Sequence, residues 1–443
     1  MICMRGKWFC HSIAAIVLVF MLSPAASSHE TGDGALESQT QPAVDIAPIA
    51  AAAPAALPNP REVAVTLRTT LGLRADERIL AELEADKVSV GRSQALGIPL
   101  AESEAALLQT RFEAFRKNEI VSKEVLTAVG EGNYGGSWYD QVRGIEVIAV
   151  LSPAVEVATK IASLAPVPTR LEVKTVTHAS STLDAALAAV ATIHPNGYAD
   201  IKNNRVVIVA TTEQAPTAGL IHEKVGYPAS LFSVEVNNDK PRDHSAALGG
   251  QEVTGCSTGA HGYVWYLGLQ VPFLVTAGHC GDTLFHVPQH GVAFLRANES
   301  QSGTADAQSI YHGTSQNPLW QPTSKVEGWA LPNDLTLTSA APAGGGADKV
   351  GAIVCQAGST TQGAPGNCGD ITSVNVVCNG YTGLRGSNAF NNPGDSGGTV
   401  YGFTYSYSVP LAGMVKGVCA GKFVHSFQGN VRVVLGLAGW YLN

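Results

Sequence analysis

Beyond residue 10, cysteine is confined to one stretch of this chain. Cys256, Cys280, Cys355, Cys368, Cys378 and Cys419 all lie after residue 245. The same stretch, 246–443, holds 33 of the 47 glycines and only seven Lys/Arg against nine Asp/Glu. Residues 27–245 carry nineteen Lys/Arg and twenty-seven Asp/Glu. Abundant glycine, sparse charge and short apolar runs predict a turn-rich all-β domain after residue 245, and a different fold before it. A chain of 443 residues has room for both. Its net charge of −8 gives no sign of the basic face that a nucleic-acid partner requires, and none is expected.

The first 26 residues read as a secretion signal. Arg5 and Lys7 precede the apolar run 8–22, which is short for a membrane span, and small residues follow. The protein is therefore expected outside the cell, with no membrane attachment once the signal is removed. Cys3 and Cys10 leave with the signal. Six cysteines remain in an oxidising compartment, an even number that predicts three disulfides out of 15 possible pairings. No Cys-x-x-Cys pair points to zinc, and nothing implies a cofactor.

Residues 27–60 form an Ala/Pro-rich linker. In 102–119, Leu108, Phe112 and Phe115 recur at helical spacing. Strand-like 144–151, a helix over 153–164 opening at Pro153, strand-like 170–176 and a helix over 181–194 follow. In that last helix Ser181 and Asp184 form a variant capping box. A hairpin then runs through 196–210. This order predicts a small open-faced α/β sandwich. Residues 215–245 read as polar and irregular, and the all-β part begins near residue 248.

Two motifs in that part carry chemistry. "FLVTAGHCG" (273–281) is an apolar strand ending in small residues, His279 and Cys280. A disulfide at Cys280 would fix the histidine backbone, as a general base requires. "NNPGDSGG" (391–398) sets Ser396 behind a Pro-Gly turn. Gly394 permits a sharp loop in which the Gly394 and Ser396 amides face one point, the geometry of an oxyanion hole. Asp395 falls beneath the loop and needs a partner there.

"TAGHC" followed by "GDSGG" resembles the chymotrypsin-like serine proteases, in the form of the secreted streptogrisin and α-lytic protease group. "VCQAGSTTQGAPGNCGDI" (354–371) is similar to a Cys-bounded loop of that group, and 134–150 and 196–210 resemble strands of its pro-domain. The resemblance implies two antiparallel β-barrels over 246–443, with an α/β pro-region over 61–245 that assists folding and blocks the site until cleavage within Asp243–Leu248. It implies Ser396 as nucleophile, His279 as base and an Asp between them in sequence. Asp282, Asp306, Asp334, Asp348 and Asp370 are the candidates, with Asp306 favoured over Asp334. It further implies an oxyanion hole at Gly394 and Ser396, and a substrate-binding strand at Gly413, Met414, Val415, Lys416 and Gly417. The bridges implied are Cys256–Cys280 and Cys355–Cys368, and with them Cys378–Cys419. The expected partners are peptide or protein substrates and the pro-region, and the expected state is a monomer. A protease-like scaffold serving only to bind is the alternative.

Three positions depart from the group's pattern. Phe390 stands where a pocket-wall Cys is usual. Gln356 replaces an Arg that pairs with the Asp before the nucleophile, which leaves Arg385 as a candidate partner for Asp395. Lys416 replaces a Ser that supports the triad Asp.

Overall fold

A computed structural model describes residues 59–442, apart from 87, 90–91, 93–95, 119–120, 152–154, 238–241, 244–251, 254–255, 267–268, 282–283, 288–291, 312–323, 327–333, 362–366, 405, 420 and 441. The signal segment, nearly all of the Ala/Pro-rich linker, Pro153 and the cleavage segment after Asp243 lie outside the described residues. Asn59 caps the first helix, accepting from Arg61 N at 3.0 Å, and Pro60 takes the first helical position, where its missing N–H costs nothing.

Four helices come first: α1 (Pro60–Thr70), α2 (Glu77–Ala85), α3 (Glu102–Asn118) and α4 (Val121–Val129). Leu108 and Phe115 of α3 are buried, while Phe112 meets Phe403 edge-on at 6.1 Å. A hairpin of β1 (Tyr134–Asp140) and β2 (Ile145–Val150) then leads through α5 (Val155–Leu164) to β3 (Leu171–Thr175), parallel to β2. After α6 (Ser180–Ala191) the arrangement repeats. β4 (Asn196–Asp200) and β5 (Arg205–Ala210) form a hairpin, and α7 (Ala218–Val225) leads to β6 (Phe232–Val236), parallel to β5.

The single sandwich read from the sequence is thus two hairpin–helix–strand units, and part of 215–245 is regular. Thr217 caps α7 through Leu220 N at 3.3 Å, but the helix buries only Ile221, too little for a periodic signature. The capping box on α6 is absent. The helix starts one residue earlier, after Ala179, with no side-chain cap. The Asp184 carboxylate instead accepts from Asn375 Nδ2 at 2.7 Å, in the C-terminal half.

The C-terminal half is mostly sheet. After the short β7 (Arg242–Asp243) come β8 (His261–Tyr266), β9 (Leu269–Thr276), β10 (Leu284–Val287), β11 (Val292–Ser302) and β12 (Ala305–Tyr311). They form a sheet in the order β10-β11-β12-β9-β8, edged by Gly439–Trp440. Next are β13 (Leu335–Ala340), β14 (Ile353–Ala357), β15 (Cys368–Cys378), β16 (Tyr381–Ser387), β17 (Thr399–Gly402), β18 (Ser408–Cys419), β19 (Lys422–Phe427) and helix α8 (Gln428–Val434). Among the described strands of this half the pairing is antiparallel except that, against expectation, β13 runs parallel to β18, Thr336 opposite Ser408.

One large sheet continues β13-β18-β17-β14-β15-β4-β5-β6, crossing between the halves where Val376 pairs with Tyr198 and Cys378 with Asn196. A second joint forms at the end of β1. Tyr139 N donates to Val350 O at 2.8 Å, and Gln141 Nε2 to Gly351 O at 2.7 Å. Beside them the buried Lys349 ammonium pairs with buried Glu146 on β2. Leu67, Leu71 and Ile98 belong to the same apolar cluster as Val275, Ile353 and Leu411, so the N-terminal helices and the C-terminal sheets share a core. Cys256–Cys280, Cys355–Cys368 and Cys378–Cys419 are the three disulfides formed, the set that the resemblance implied.

Candidate active site

His279 sits in a single helical turn, Gly278–Cys280, at the end of β9. The Cys256–Cys280 bridge holds one side of the turn, and Gln308 Nε2 holds the other by donating to Ala277 O at 2.9 Å. β12 pairs with β9, Thr276 opposite Gln308, and this brings Asp306 at the start of β12 under the turn. One carboxylate oxygen, Oδ1, accepts from His279 N at 3.0 Å, and the other, Oδ2, lies 2.6 Å from His279 Nδ1. Asp306 is fully buried, and Ser426 Oγ accepts from its backbone N at 2.9 Å. Burial alone would raise the Asp306 carboxyl. The hydrogen bond and charge of His279, with the charge of Lys416, outweigh it and hold the group below the ordinary carboxylate range.

Ser396 lies in the turn between β16 and β17. Ser257 ties that turn down: its N donates to Ser396 O at 2.6 Å and its Oγ to Gly394 O at 2.8 Å. On the other side Gly397 N donates to Val415 O at 2.8 Å. Gly394 has φ +116°, a backbone that a side chain disfavours. No described residue accepts from the amides of Gly394 and Ser396, so both remain available. Ser396 Oγ stands 3.0 Å from His279 Nε2 and 3.1 Å from Lys416 O. With Nδ1–H donating to Asp306, Nε2 is the bare nitrogen that accepts the serine proton.

Asp395 departs from the reading that assigned it Arg385. Arg385 pairs with Asp348, Nη2 to Oδ2 at 2.8 Å, and stacks over the Phe427 ring. Asp395 is held by main-chain amides instead: Oδ1 accepts from Thr360 N and Thr361 N, each at 3.1 Å, and Oδ2 from Asn392 N at 2.7 Å. Burial raises its carboxyl, and these bonds only partly offset the rise. Gly358 passes so close that a Cβ there would overlap the carboxylate.

Of the other candidate acids, Asp348 and Asp370 serve Arg385 and Asn388, Asp334 is exposed at the start of β13, and Asp282 lies outside the described residues. Of the five residues expected to bind substrate, the structure leaves fewer with an open edge. Gly413 and Met414 are paired on both edges, by Val400 and Thr399 of β17 and by Phe427 and Ser426 of β19. Val415 is likewise used on both sides, by the Ser396 turn and by His425. Only from Lys416 onward does β18 turn an edge to the site, and there β7 pairs with it, Asp243 opposite Gly417 and Arg242 opposite Val418. Phe390 packs edge-on against Phe423 at 5.3 Å.

The sequence reading missed one side chain. His425 on β19 is buried beside the site, and burial, aided by Arg385, pushes it down to about 3, so it stays neutral. His425 belongs to no motif. Lys416, singled out in the sequence because it replaces a Ser that supports the triad Asp, has a buried ammonium 3.2 Å from Asp306 Oδ2. Cys256, His279 and Cys280 cluster closely enough for a metal ion, but both sulfurs are in the disulfide and Nδ1 faces Asp306, so the cluster offers no donor set. No helix among the described residues is long and apolar enough to cross a membrane.

Against known proteins, the chain is 30% identical over 246 residues to streptogrisin-C of Streptomyces griseus, a match covering 53% of this chain and 49% of that protein. The chain resembles the chymotrypsin-like serine proteases of the streptogrisin group. It spans about half the length of this curated relative. No protein-family model matches. Similar solved structures include a glutamic-acid-specific serine protease (24% identity, 45% of this chain, 99% of that chain, TM-score 0.34). Two others are a chymotrypsin from Cellulomonas bogoriensis (21%, 45%, 98%, 0.31) and a Nocardiopsis protease (22%, 44%, 97%, 0.32).

Proposed function

We propose that the chain is a secreted serine endopeptidase made as an inactive preproenzyme, with a signal over 1–26, a linker over 27–60, a pro-region over 61–245 and a protease domain of two β-barrels over 246–443. The observation that carries this reading is the unbroken line Ser396 Oγ, His279 Nε2, His279 Nδ1, Asp306 Oδ2, with steps of 3.0 Å and 2.6 Å outside the ring. Ser396 Oγ attacks the scissile carbonyl carbon while His279 Nε2 takes its proton. The oxyanion that forms is received by the Gly394 and Ser396 amides. The C–N bond then breaks, and His279 returns the proton to the leaving amine. Water repeats the sequence on the acyl-enzyme and frees Ser396. Asp306 holds the productive tautomer and balances the imidazolium.

The pairing of β7 with β18 supports the inhibitory role. A segment belonging to the proposed pro-region already occupies the edge of β18 beside Ser396, and it runs toward that serine. A peptide substrate would take the same edge by strand addition.

The test is fluorophosphonate labelling of the full-length chain after secretion, followed by digestion of an unbiased peptide library, with Ser396→Ala alongside. Labelling and cleavage by the wild type alone are expected. A folded wild type that neither labels nor cleaves would leave a binding protein on a protease-like scaffold.

A further inference from the structure

Asp306 faces two basic side chains. Its Oδ2 atom faces His279 Nδ1 at 2.6 Å and Lys416 Nζ at 3.2 Å, and all three groups sit where solvent scarcely reaches, with side-chain exposures of 0%, 12% and 3% respectively. The ammonium is also seated over the Tyr381 ring, 4.4 Å from its centre, a face that suits a buried cation. We infer that Lys416 is a positioning residue that, through the shared carboxylate, loosens the hold of His279 on its transferred proton and extends the reaction to lower pH. This rests on the proposed peptidase reading.

The reasoning is electrostatic. When His279 is neutral, Asp306 and Lys416 form a balanced pair. When His279 takes the serine proton, two cations share one carboxylate, in an interior where like charges are poorly screened. The imidazolium is then less favoured than it would be over Asp306 alone. Lys416 also keeps Asp306 ionised in acid, so the tautomer that leaves Nε2 bare persists there. Both effects move the acid limit of activity the same way.

The surrounding groups leave the shift to Lys416. His425 on β19 is neutral, Arg385 on β16 is neutralised by Asp348, and Asp395 is held by amides in its own turn. Lys422, at the start of β19, lies over the Tyr198 ring. Tyr381 presents its ring face, and Ser426 is uncharged.

The experiment uses the full-length chain, secreted and allowed to process. It measures kcat/KM against pH and, by NMR, the midpoint of the His279 ring-proton titration. Lys416→Met is expected to raise the acid limb and the NMR midpoint together by about one pH unit, about a tenfold loss of activity on the acid side. Lys416→Ser, which leaves room for water, should do the same. A folded variant with both readouts unchanged overturns the inference. Should neither variant fold, the wild-type midpoint decides: at or above the ordinary histidine value of about 6.5 overturns it, well below supports it. The NMR readout needs no peptide hydrolysis, so failure of the peptidase reading shows separately, as absent cleavage with an intact titration shift.

Discussion

Asp306 does more than accept from His279: it receives the backbone N–H of the same residue through its other oxygen, so ring and backbone are fixed together. Asp306→Asn can keep the shape but not the acceptor. The side-chain amide would favour the wrong imidazole tautomer and remove the charge that faces the buried Lys416 ammonium, so kcat should fall about 10⁴-fold together with a loss of stability, read by steady-state kinetics and thermal melting. His425 makes a different prediction. Its folded value is depressed to about 3 from an ordinary 6.5, so between those limits the unfolded chain binds the extra proton. Its contribution to stability is therefore whole above pH 6.5 and is lost as pH falls toward 3. Replacing it with Gln should flatten the acid-side loss by up to about 1.4 kcal/mol per pH unit, measured by denaturant unfolding at several pH values.

β14 and β17 stand between β15 and β18 in the large sheet, and the Cys378–Cys419 bridge ties the ends of β15 and β18 where β4 docks. Replacing both cysteines with Ser should cost about 2–5 kcal/mol of stability, visible in melting of the secreted chain. The apolar strand before His279 and the helix over 102–118 were readable because their cues are local: a short apolar run closed by small residues, and side chains recurring every three or four positions. The sequence did not reveal that β13 runs parallel to β18, because a strand carries no mark of its partner's direction. The second hairpin–helix–strand unit escaped for a related reason, since α7 is brief and buries one side chain. The contact of Lys416 with Asp306 joins residues more than a hundred positions apart and has no local trace. The three disulfides needed the resemblance, because spacing alone leaves fifteen pairings open.

The two halves of the molecule meet through a continued sheet and through the buried Glu146–Lys349 pair. Glu146→Ala would strand the Lys349 ammonium beneath the Tyr139 ring, 4.9 Å from its centre. A loss of about 3–5 kcal/mol is expected, seen as lower secreted yield and earlier unfolding of the full chain. The joint through Val376 and Tyr198 has a consequence for timing. Under the proposed maturation, scission after Asp243 would sever one covalent thread and none of the rungs between β15 and β4. The severed piece would stay zipped to its neighbour, and the fraying of that seam would then set part of the delay before the serine meets a foreign peptide.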